Sequence, residues 1–600
     1  MIEIRSPLQG TVVHILGVTD RVGAATEVAV LESMKMEHGV PSPAGGVVAE
    51  VHVQIGDNVV VGTLLVTVDE TAAPVGDDAG VEPAAGAAGE RADLALVRAR
   101  HDVGLDEARP DAVTRRRRTG QRTARENLAD LLDDGSFVEY GPLVLAAQRR
   151  RRSVEDLIER SPADGLVGGL GRIDGHPVVV ASYDYTVFAG TQGGQNHRKK
   201  DRLFELVERQ RLPFVLFAEG GGGRPGDTDG IGGSGLDVLA FHLFGRLSGL
   251  VPLVGITSGR CFAGNAALLG CCDVVIATEG SNIGMGGPAM VEGGGLGVFE
   301  PEAIGPLEVQ VANGVVDIPV ADEAEAVAVA KRYLSYFQGP VEEWEAPDPS
   351  LARNVVPEQR LRAYDVRAAI EAIADVGSVL ELRAGFGHGM VTALVRVEGR
   401  PMGLVANNPS HLAGAIDADG ADKAARFLQL CDAFDLPILF LCDTPGIMVG
   451  PEAETTALVR HASRLFVTGA NLTVPTGTIV LRKGYGLGAM AMAGGTFKQP
   501  LFTVAWPTGE FGGMGLEGAV RLGYRKELDA IEDPVERERV FNEMVDRMYE
   551  HGRAVNSASY FEIDDVIDPA DSRRWISAAF GSAPPPAPRE GKKRPNIDTW

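Results

Sequence analysis

The feature that most restricts the fold is a long internal repeat in the last two thirds of the chain. Three pairs of segments match in order: 212–219 with 436–443, 251–266 with 474–489, and 283–287 with 511–515. The offset between the copies is 224 residues at the first pair and 228 at the last, with one slip, to 223, at the middle pair. Each copy alternates short apolar strands with helical patterns, which is typical of stacked strand–strand–helix units. The sequence therefore predicts two tandem copies of one α/β fold, which meet in a charged, proline-containing stretch around 342–357.

A second, shorter repeat occupies the first 70 residues. It pairs Ser6, Pro7, Gly10, Val12, Asp20 and Val22 with Ser42, Pro43, Gly46, Val48, Asp57 and Val59. This half-repeat predicts an all-β domain made of two similar four-strand halves folded over each other. Lys35 then lies at the tip of a hairpin, where its side chain projects into solvent.

Lys35 is flanked by Met34 and Met36. An ordinary exposed lysine is the simplest alternative, since most lysines are solvated. Two thioethers beside it favour contact with several partners in turn. The stretch resembles biotinyl carrier domains, whose signature is Met-Lys-Met preceded by Glu-Ala, with Ser33 in place of the alanine, whereas lipoyl carriers usually have Asp-Lys-Ala. The resemblance implies covalent biotin on Lys35, with both methionines beside the cofactor.

The composition limits the class of partner. A net charge of -25 and a pI near 4.9 argue against a nucleic acid, because phosphate binding needs an excess of Lys and Arg. Five cysteines in 600 residues, with no Cys-x-x-Cys pair, predict reduced thiols in a cytoplasmic protein. The start of the chain lacks the pattern of a signal peptide, and no apolar run approaches the length of a membrane span.

The chain divides into five predicted parts. They are a biotinyl carrier domain (1–70), a flexible Ala/Gly/Pro-rich linker (71–92), an N-terminal α/β domain (93–345), a C-terminal α/β domain (346–580) and a tail (581–600). A linker of about 22 residues has a root-mean-square span of roughly 25 Å, which lets Lys35 reach more than one place on a large assembly.

Two basic runs, Arg115–Arg118 and Arg149–Arg152, have two interpretations. Ion pairing with the acidic bulk of the protein, or a solvated face, is the favoured one. The alternative is contact with the phosphates of coenzyme A or with a partner subunit.

In each copy of the repeat, a buried strand leads through a glycine-containing turn into a helix. The turns contain Gly264-Asn265 in the first copy and Leu487-Gly488 in the second. The first amides of a helix have no intrahelical acceptor, so such a turn can stabilise an enolate or oxyanion. Glycines at helix starts more often serve close packing, but two matching turns across a repeat favour a functional role.

Other catalytic motifs are missing from the sequence. Gly484-Tyr-Gly-Leu-Gly-Ala489 follows a strand as a dinucleotide fingerprint does, but the next strand ends at Trp506-Pro507 without the required acid. There is no Gly-Lys-Ser/Thr phosphate loop, no Gly-x-Ser-x-Gly elbow and no His-Glu-x-x-His helix. We therefore expect no nucleotide triphosphate site and no metal.

Residues 93–600 contain five motifs that carry a resemblance: Tyr185-Thr-Val-Phe-Ala-Gly190, Phe262-Ala-Gly-Asn-Ala266, Asp443-Thr-Pro-Gly446, Lys483-Gly-Tyr-Gly486 and Ala505-Trp-Pro507. With these motifs, this part of the chain resembles the carboxyltransferase component of acyl-CoA carboxylases of the propionyl-CoA and methylcrotonyl-CoA type. The resemblance implies two crotonase-like domains. It also implies an active site between the N-terminal domain of one protomer, which takes acyl-CoA, and the C-terminal domain of another, which takes biotin.

The resemblance also implies roles for single residues. Gly264 and Asn265 would offer amides to the thioester enolate, and Leu487 and Gly488 to the ureido oxygen of biotin. Ala189 and Gly190 would contact CoA, and Met490 would shape the acyl pocket. Asn265 and Leu487 carry side chains where many relatives have none, which bears on the size of the substrate. Met490 stands where relatives often have Asp or Ile, so we expect an acyl preference unlike that of the common propionyl enzymes.

The implied function is transfer of the carboxyl group of carboxybiotin on Lys35 to the α-carbon of an acyl-CoA. The implied partners are a biotin carboxylase subunit, a biotin protein ligase and further copies of the chain, with a hexamer as the expected assembly. Two alternatives remain: a decarboxylase component that passes CO₂ to biotin for a membrane pump, and a non-catalytic carrier scaffold. No membrane-facing segment supports the first, and a scaffold would not need two matched amide turns.

Overall fold

The computed structural model describes residues 1–71, 91–229 and 235–600. Most of the segment predicted to be a linker, 71–92, therefore lies outside the described residues. The chain forms two compact units, Met1–Arg98 and Ala99–Trp600, and each has its own hydrophobic core.

The described part of the first unit is built on short strands. These are β1 (Ile2–Arg5), β2 (Gly10–Ile15), β3 (Arg21–Val22), β4 (Glu27–Ser33), β5 (Met36–Pro41), β6 (Gly46–Val51), β7 (Asn58–Val59) and β8 (Leu64–Asp69). They form two sheets, in the orders β1-β8-β6-β3 and β5-β4-β2-β7. Strands β1 to β4 of the first half are equivalent, in order, to β5 to β8 of the second half. Replacing each strand by its equivalent turns the order of one sheet into the order of the other. The two halves are thus present as predicted, but they are interleaved, and each sheet takes two strands from each half.

The half-repeat has a direct structural explanation. Ser6 and Ser42 are both buried, and their hydroxyls donate to the carbonyl oxygens of Leu8 (2.5 Å) and Ala44 (2.7 Å). Each serine closes the turn that precedes the next strand of its half. The same turn chemistry therefore starts β2 and β6 at equivalent places.

The first copy of the long repeat supplies the next set of strands. These are β9 (Val138–Glu139), β10 (Leu166–Ile173), β11 (His176–Tyr183), β12 (Phe214–Phe217), β13 (Leu253–Thr257), β14 (Arg260–Phe262), β15 (Val274–Thr278), β16 (Asn282–Gly284) and β17 (Ile318–Val320). Seven of them form a sheet in the order β17-β15-β13-β12-β11-β10-β9, and β14 pairs with β16.

The second copy supplies a matching set. These strands are β18 (Leu380–Leu382), β19 (Met390–Val397), β20 (Arg400–Asn407), β21 (Ile438–Thr444), β22 (Thr476–Tyr485), β23 (Phe502–Ala505), β24 (Glu510–Gly512) and β25 (Asp565–Val566). Their sheet has the order β18-β19-β20-β21-β22-β23-β25, with β24 beside the end of β22. In both sheets an antiparallel hairpin is followed by parallel strands, so β12 and β13 correspond to β21 and β22.

Helices connect and cover these strands. Those that the structure describes are α1 (Ala92–Asp102), α2 (Pro110–Arg117), α3 (Ala124–Leu131), α4 (Val154–Arg160), α5 (Gly194–Gln210), α6 (Ala240–Leu247), α7 (Gly264–Gly270), α8 (Pro288–Gly293), α9 (Leu307–Ala312), α10 (Glu323–Ser335), α11 (Arg367–Ile373), α12 (Ala418–Ala433), α13 (Pro451–Glu454), α14 (Leu458–Ala470), α15 (Gly486–Ala491), α16 (Leu516–Gly523), α17 (Arg525–Asp529), α18 (Pro534–His551), α19 (Ala554–Ser559) and α20 (Ser572–Ser582).

The two copies share one hydrophobic core. Helix α12 is buried along almost its whole length. Its Phe427 belongs to the same apolar cluster as Val254 and Ile276 of the first copy. Its Arg426 donates through Nη2 to the main-chain oxygen of Asp273, at 2.6 Å. The tandem copies therefore fold as one compact unit.

Candidate active site

The predicted hairpin tip is present between β4 and β5. Ser33 pairs with Met36, which leaves Met34 and Lys35 as a two-residue turn. Both have positive φ, 52° and 65°, as a type I′ turn requires. Met34 is 95% exposed and Met36 65%, and Lys35 is also exposed. The amine is thus presented to solvent between two thioethers, an arrangement that fits covalent attachment of biotin.

The first glycine-containing turn joins β14 to α7. Ala263 precedes the helix with φ of 52° and ψ of -123°. Gly264 and Asn265 are the first two residues of α7, so their amides have no acceptor within the helix. The local geometry therefore leaves an adjacent pair of N–H groups without an intrahelical acceptor, and of these two residues only Gly264 has exposed surface. An oxyanion contact at this pair stays a prediction.

The turn Phe188–Gly190 lies beside α7. Ala189 and Gly190 have φ of 53° and 63°. A Cβ on Gly190 would lie 2.5 Å from the main-chain oxygen of Glu219, so only glycine permits this close approach. The Asn265 side chain donates through Nδ2 to the main-chain oxygen of Gly190, at 3.2 Å. The structure thus brings Ala189 and Gly190 together with Gly264 and Asn265.

The two unusual side chains of the turns have different environments. Asn265 is completely buried and hydrogen-bonded within the protein. Leu487 is 60% exposed. Only Leu487 is therefore placed so that its side chain can contact a ligand or a partner directly.

The second turn joins β22 to α15. Gly486 begins α15 with φ of 55°, and Leu487 and Gly488 follow it. A Cβ on Gly488 would lie 2.7 Å from two main-chain atoms of Gly446, so the helix start packs directly against the 444–446 loop. As in the first copy, the amides of the first helical residues have no intrahelical acceptor.

Met490 lies one half-turn further along α15 and is 39% exposed. It lines a cavity of about 860 Å³ together with Gly486, Phe497, Phe511 and other residues between 484 and 562. All residues that line this cavity belong to the second copy. Met490 therefore lies with the biotin-side turn of its own chain, whereas Ala189 and Gly190 lie with the other turn.

Two buried acids at equivalent strand ends were missed as site residues. Glu219 follows β12, and Asp443 lies near the end of β21, at matching positions of the repeat. Arg116 donates to both oxygens of Glu219, at 2.7 and 2.6 Å. Burial raises the pKa of Glu219 to about 7, and the charge of Arg116 acts in the opposite direction. The signal was available in the repeat, where both Leu-Pro strands end in an acid.

Asp443 has a fuller set of partners. Arg482 donates through Nε at 3.1 Å and the amine of Lys483 lies 2.7 Å away. The hydroxyl of Tyr364 donates at 2.9 Å. Burial raises the pKa of Tyr364, so this tyrosine stays a donor. These bonds fix the strand end that leads towards Gly446 and the second turn.

Three of the eight arginines in the two basic runs form ion pairs, and the other five are exposed. Arg116 pairs with Glu219, Arg117 with Glu126, and Arg152 with Asp156. This agrees with the favoured interpretation for these arginines.

Two sequence families match the chain. The carboxyl transferase domain family matches residues 115–584, and the biotin-requiring enzyme family matches residues 2–68. The chain belongs to the carboxyl transferase family. The predicted fold class, a biotinyl domain followed by crotonase-like carboxyltransferase domains, is confirmed. So is the need for covalent biotin, because the first unit is a biotin-requiring domain.

Two curated relatives of this carboxyl transferase are named for CoA esters. The methylmalonyl-CoA carboxyltransferase 12S subunit of Propionibacterium freudenreichii subsp. shermanii is 34% identical over 484 residues, 78% of this chain and 90% of the relative. The biotin-dependent long chain acyl-coenzyme A carboxylase beta4 subunit of Mycobacterium tuberculosis is 31% identical over 506 residues, 80% of this chain and 92% of the relative.

Solved structures agree with this placement. A single-chain, multi-domain long-chain acyl-CoA carboxylase is 58% identical with a TM-score of 0.79, over 96% of this chain and 56% of the solved one. The present chain thus spans little more than half of that protein. The transcarboxylase 12S crystal structure, described as a hexamer, is 31% identical with a TM-score of 0.72, over 84% of this chain and 98% of the solved one.

Three further observations concern cofactors and surroundings. Among the described residues, no group of His, Cys, Asp and Glu side chains is arranged to hold a metal ion. None of the described helices is long and apolar enough to cross a membrane. The five cysteines are free thiols.

Proposed function

We propose that this chain moves a carboxyl group between biotin on Lys35 and the α-carbon of an acyl-CoA. The observation that carries the proposal is the pair of matched strand-to-helix turns, one in each copy, in a chain that also presents Lys35 on an exposed hairpin. Covalent biotin would supply the ureido group that holds the carboxyl group and accepts the α-proton. A side-chain general base is therefore not needed.

The roles of the chain's own residues follow from this arrangement. The first domain, 93–345, takes acyl-CoA, and the amides of Gly264 and Asn265 hold the thioester oxygen as it becomes an enolate oxygen. Ala189 and Gly190 contact the CoA portion. The second domain, 346–580, takes biotin, and the amides of Leu487 and Gly488 hold its ureido oxygen.

We propose a long-chain acyl-CoA as the substrate class. The 58% identical structure is that of a long-chain acyl-CoA carboxylase, whereas the methylmalonyl-CoA relative is only 34% identical. The cavity beside Met490, at about 860 Å³, lies within the usual range for sites that enclose a small molecule. Its lining combines apolar side chains, such as those of Phe497 and Phe511, with polar ones, such as that of Lys498. The cavity lies in the biotin-side copy, so it would adjoin the acyl-CoA side of a neighbouring protomer, and there its apolar part suits an alkyl chain.

The partners follow from the chemistry. ATP-dependent loading of biotin requires a biotin carboxylase, and attachment to Lys35 requires a biotin protein ligase. We propose a homo-oligomer, a hexamer by analogy with transcarboxylase 12S, in which the acyl-CoA side of one protomer meets the biotin side of another. The free thiols favour a cytoplasmic location.

The reverse reaction tests the proposal with this chain alone. The purified chain, with biotin on Lys35, is mixed with a 2-carboxyacyl-CoA that carries ¹⁴C in the free carboxyl group. The carboxyl group would pass from the α-carbon to the ureido group that biotin supplies, and the α-carbon would take up the proton released there. We expect protein-bound label that depends on the carboxyacyl-CoA and rises with acyl chain length.

Lys35→Arg is the matched control, because it keeps the positive charge but cannot be biotinylated. It should accept no label. Absence of label transfer in the biotinylated wild type, with carboxyacyl-CoAs of every chain length, would refute the proposed function.

A further inference from the structure

Asn265 has an unusual side chain for its position. Its counterpart in the second copy, Gly488, has none and packs directly on Gly446. The Asn265 side chain is completely buried. Its amide group therefore makes all of its contacts inside the protein, a few ångströms from the proposed thioester site.

The contacts of this amide fix its orientation. Nδ2 donates to the main-chain oxygens of Gly190 at 3.2 Å and Glu219 at 2.8 Å. Oδ1 accepts from Nε2 of Gln192 at 2.8 Å. Two carbonyl oxygens on one side and a donor on the other leave a single assignment of oxygen and nitrogen. All three hydrogen-bonding directions used by the side chain are thus satisfied.

Gln192 is itself held rigidly. The main-chain N–H of Gln192 donates to the main-chain oxygen of Gly222 at 2.7 Å, and its main-chain oxygen accepts from the main-chain N–H of Arg224 at 2.8 Å. Its side chain is buried against Gly264, where an added Cβ would lie 3.1 Å from Oε1. The side-chain amide of Asn265 is therefore hydrogen-bonded to Gln192 on one side and to the 188–190 turn on the other.

We propose that the side chain of Asn265 is a positioning residue that ties the CoA-binding turn Ala189–Gly190 to the amides that hold the thioester oxygen. The proposal rests on the proposed function above and deepens it. The tie fixes the position of the turn that contacts CoA relative to the first amides of α7. Binding of the CoA portion then helps to align the thioester with the amides of Gly264 and Asn265, which raises kcat rather than only lowering KM.

The test compares two substrates in the label-transfer assay: the full carboxyacyl-CoA and the same carboxyacyl group on N-acetylcysteamine, which lacks the nucleotide. For Asn265→Ala we expect kcat to fall about 10- to 100-fold with the CoA ester and less than about 3-fold with the truncated ester. Asn265→Asp replaces the Nδ2 donor by an oxygen that faces two carbonyl oxygens. It should lower kcat with the CoA ester at least as much as Asn265→Ala does. Asn471→Ala, an exposed asparagine at the end of α14, is the matched control.

Gln192→Ala gives an independent line of evidence if the Asn265 variants fold poorly. It removes the bond that orients the amide, so it should reduce kcat in the same substrate-selective way but by less. The double variant should be no slower than Asn265→Ala, because both changes break one network. Equal slowing of both substrates, additive effects of the two changes, or wild-type kcat in Asn265→Asp would overturn the proposal. A wild-type chain that transfers no label would refute the proposed function instead.

Discussion

Replacing Gly488 by alanine is the sharpest test of the biotin-side turn. The added Cβ would lie 2.7 Å from the Cα and carbonyl carbon of Gly446, whereas ordinary contacts begin near 3.4 Å. Both opposing atoms belong to the main chain, so no side chain can rotate away. The start of α15 and the 444–446 loop must separate by about 0.7 Å, and the amides of Leu487 and Gly488 move with the helix.

The loss of rate caused by this shift follows from known losses at similar sites. Loss of a complete oxyanion donor lowers a rate roughly 10²- to 10³-fold, and a misplacement of about 1 Å costs roughly 10²-fold. A displacement of about 0.7 Å should therefore lower kcat for label transfer by about 10- to 100-fold. Overpacking should also lower the free energy of unfolding by about 1–3 kcal/mol.

Two glycine variants in α7 serve as comparisons. In Gly264→Ala the new Cβ meets only side-chain atoms of Gln192 and Phe241, at 3.1 Å, so we expect a loss below about 10-fold. In Gly270→Ala nothing lies within 4 Å, so activity should be unchanged and the helix slightly more stable. Circular dichroism and light scattering show whether each variant folds and assembles. A well-folded Gly488→Ala protein with wild-type kcat would refute the assignment of this turn to biotin.

Three further predictions concern other parts of the chain. Lys35→Ala should abolish the streptavidin signal completely, and any biotin left on the intact protein, measured by mass spectrometry, would contradict a single attachment site. Met490→Ala should enlarge the cavity beside α15 and shift the kcat/KM preference towards longer acyl chains by about tenfold, and an unchanged chain-length profile would exclude Met490 from the acyl pocket. Burial raises the pKa of Glu219 from an ordinary 4.5 to about 7, so between those pH values the folded protein holds a proton that the unfolded chain has lost. The quantity to compare is the free energy of unfolding of wild type minus that of Glu219→Gln, measured by denaturant titration. This difference should fall by about 3 kcal/mol as pH rises from about 4.5 to about 7, at 1.36 kcal/mol per pH unit, and stay level above pH 7. A difference that is constant or rises with pH would contradict a raised pKa.

Much of the fold could be predicted because the sequence repeats itself. A repeat in strands and turns determines which elements are equivalent, and the equivalence of β12 with β21 and of β13 with β22 follows from it directly. A repeat does not determine which sheet each strand joins. The interleaved sheets of the first unit therefore could not be derived, since strand pairing depends on contacts between halves that share one pattern.

The candidate site was predictable to the same degree. Glycines at helix starts mark the main-chain turns around Gly264 and Gly488, because backbone geometry is local in sequence. Side-chain contacts between residues that lie far apart in the sequence leave no such local pattern. The basic run 115–118 predicts ion pairs or a solvated face, but it does not indicate which arginine reaches a buried acid. Arg116 lies one helical turn after the buried Ala112, and that spacing places it on the inner face of α2.

The two strand-end acids differ in where their positive partners come from. Asp443 is neutralised by Arg482 and Lys483, which lie on the neighbouring strand of the same copy. Glu219 depends on Arg116, which lies 103 residues before it in the sequence, on a helix outside the repeat. For dissection of the protein into fragments, the second copy thus carries its own counter-charges. A fragment of the first copy that begins after α2 would enclose an uncompensated carboxylate in an apolar interior, and it would need either Glu219→Gln or α2 supplied in trans to fold.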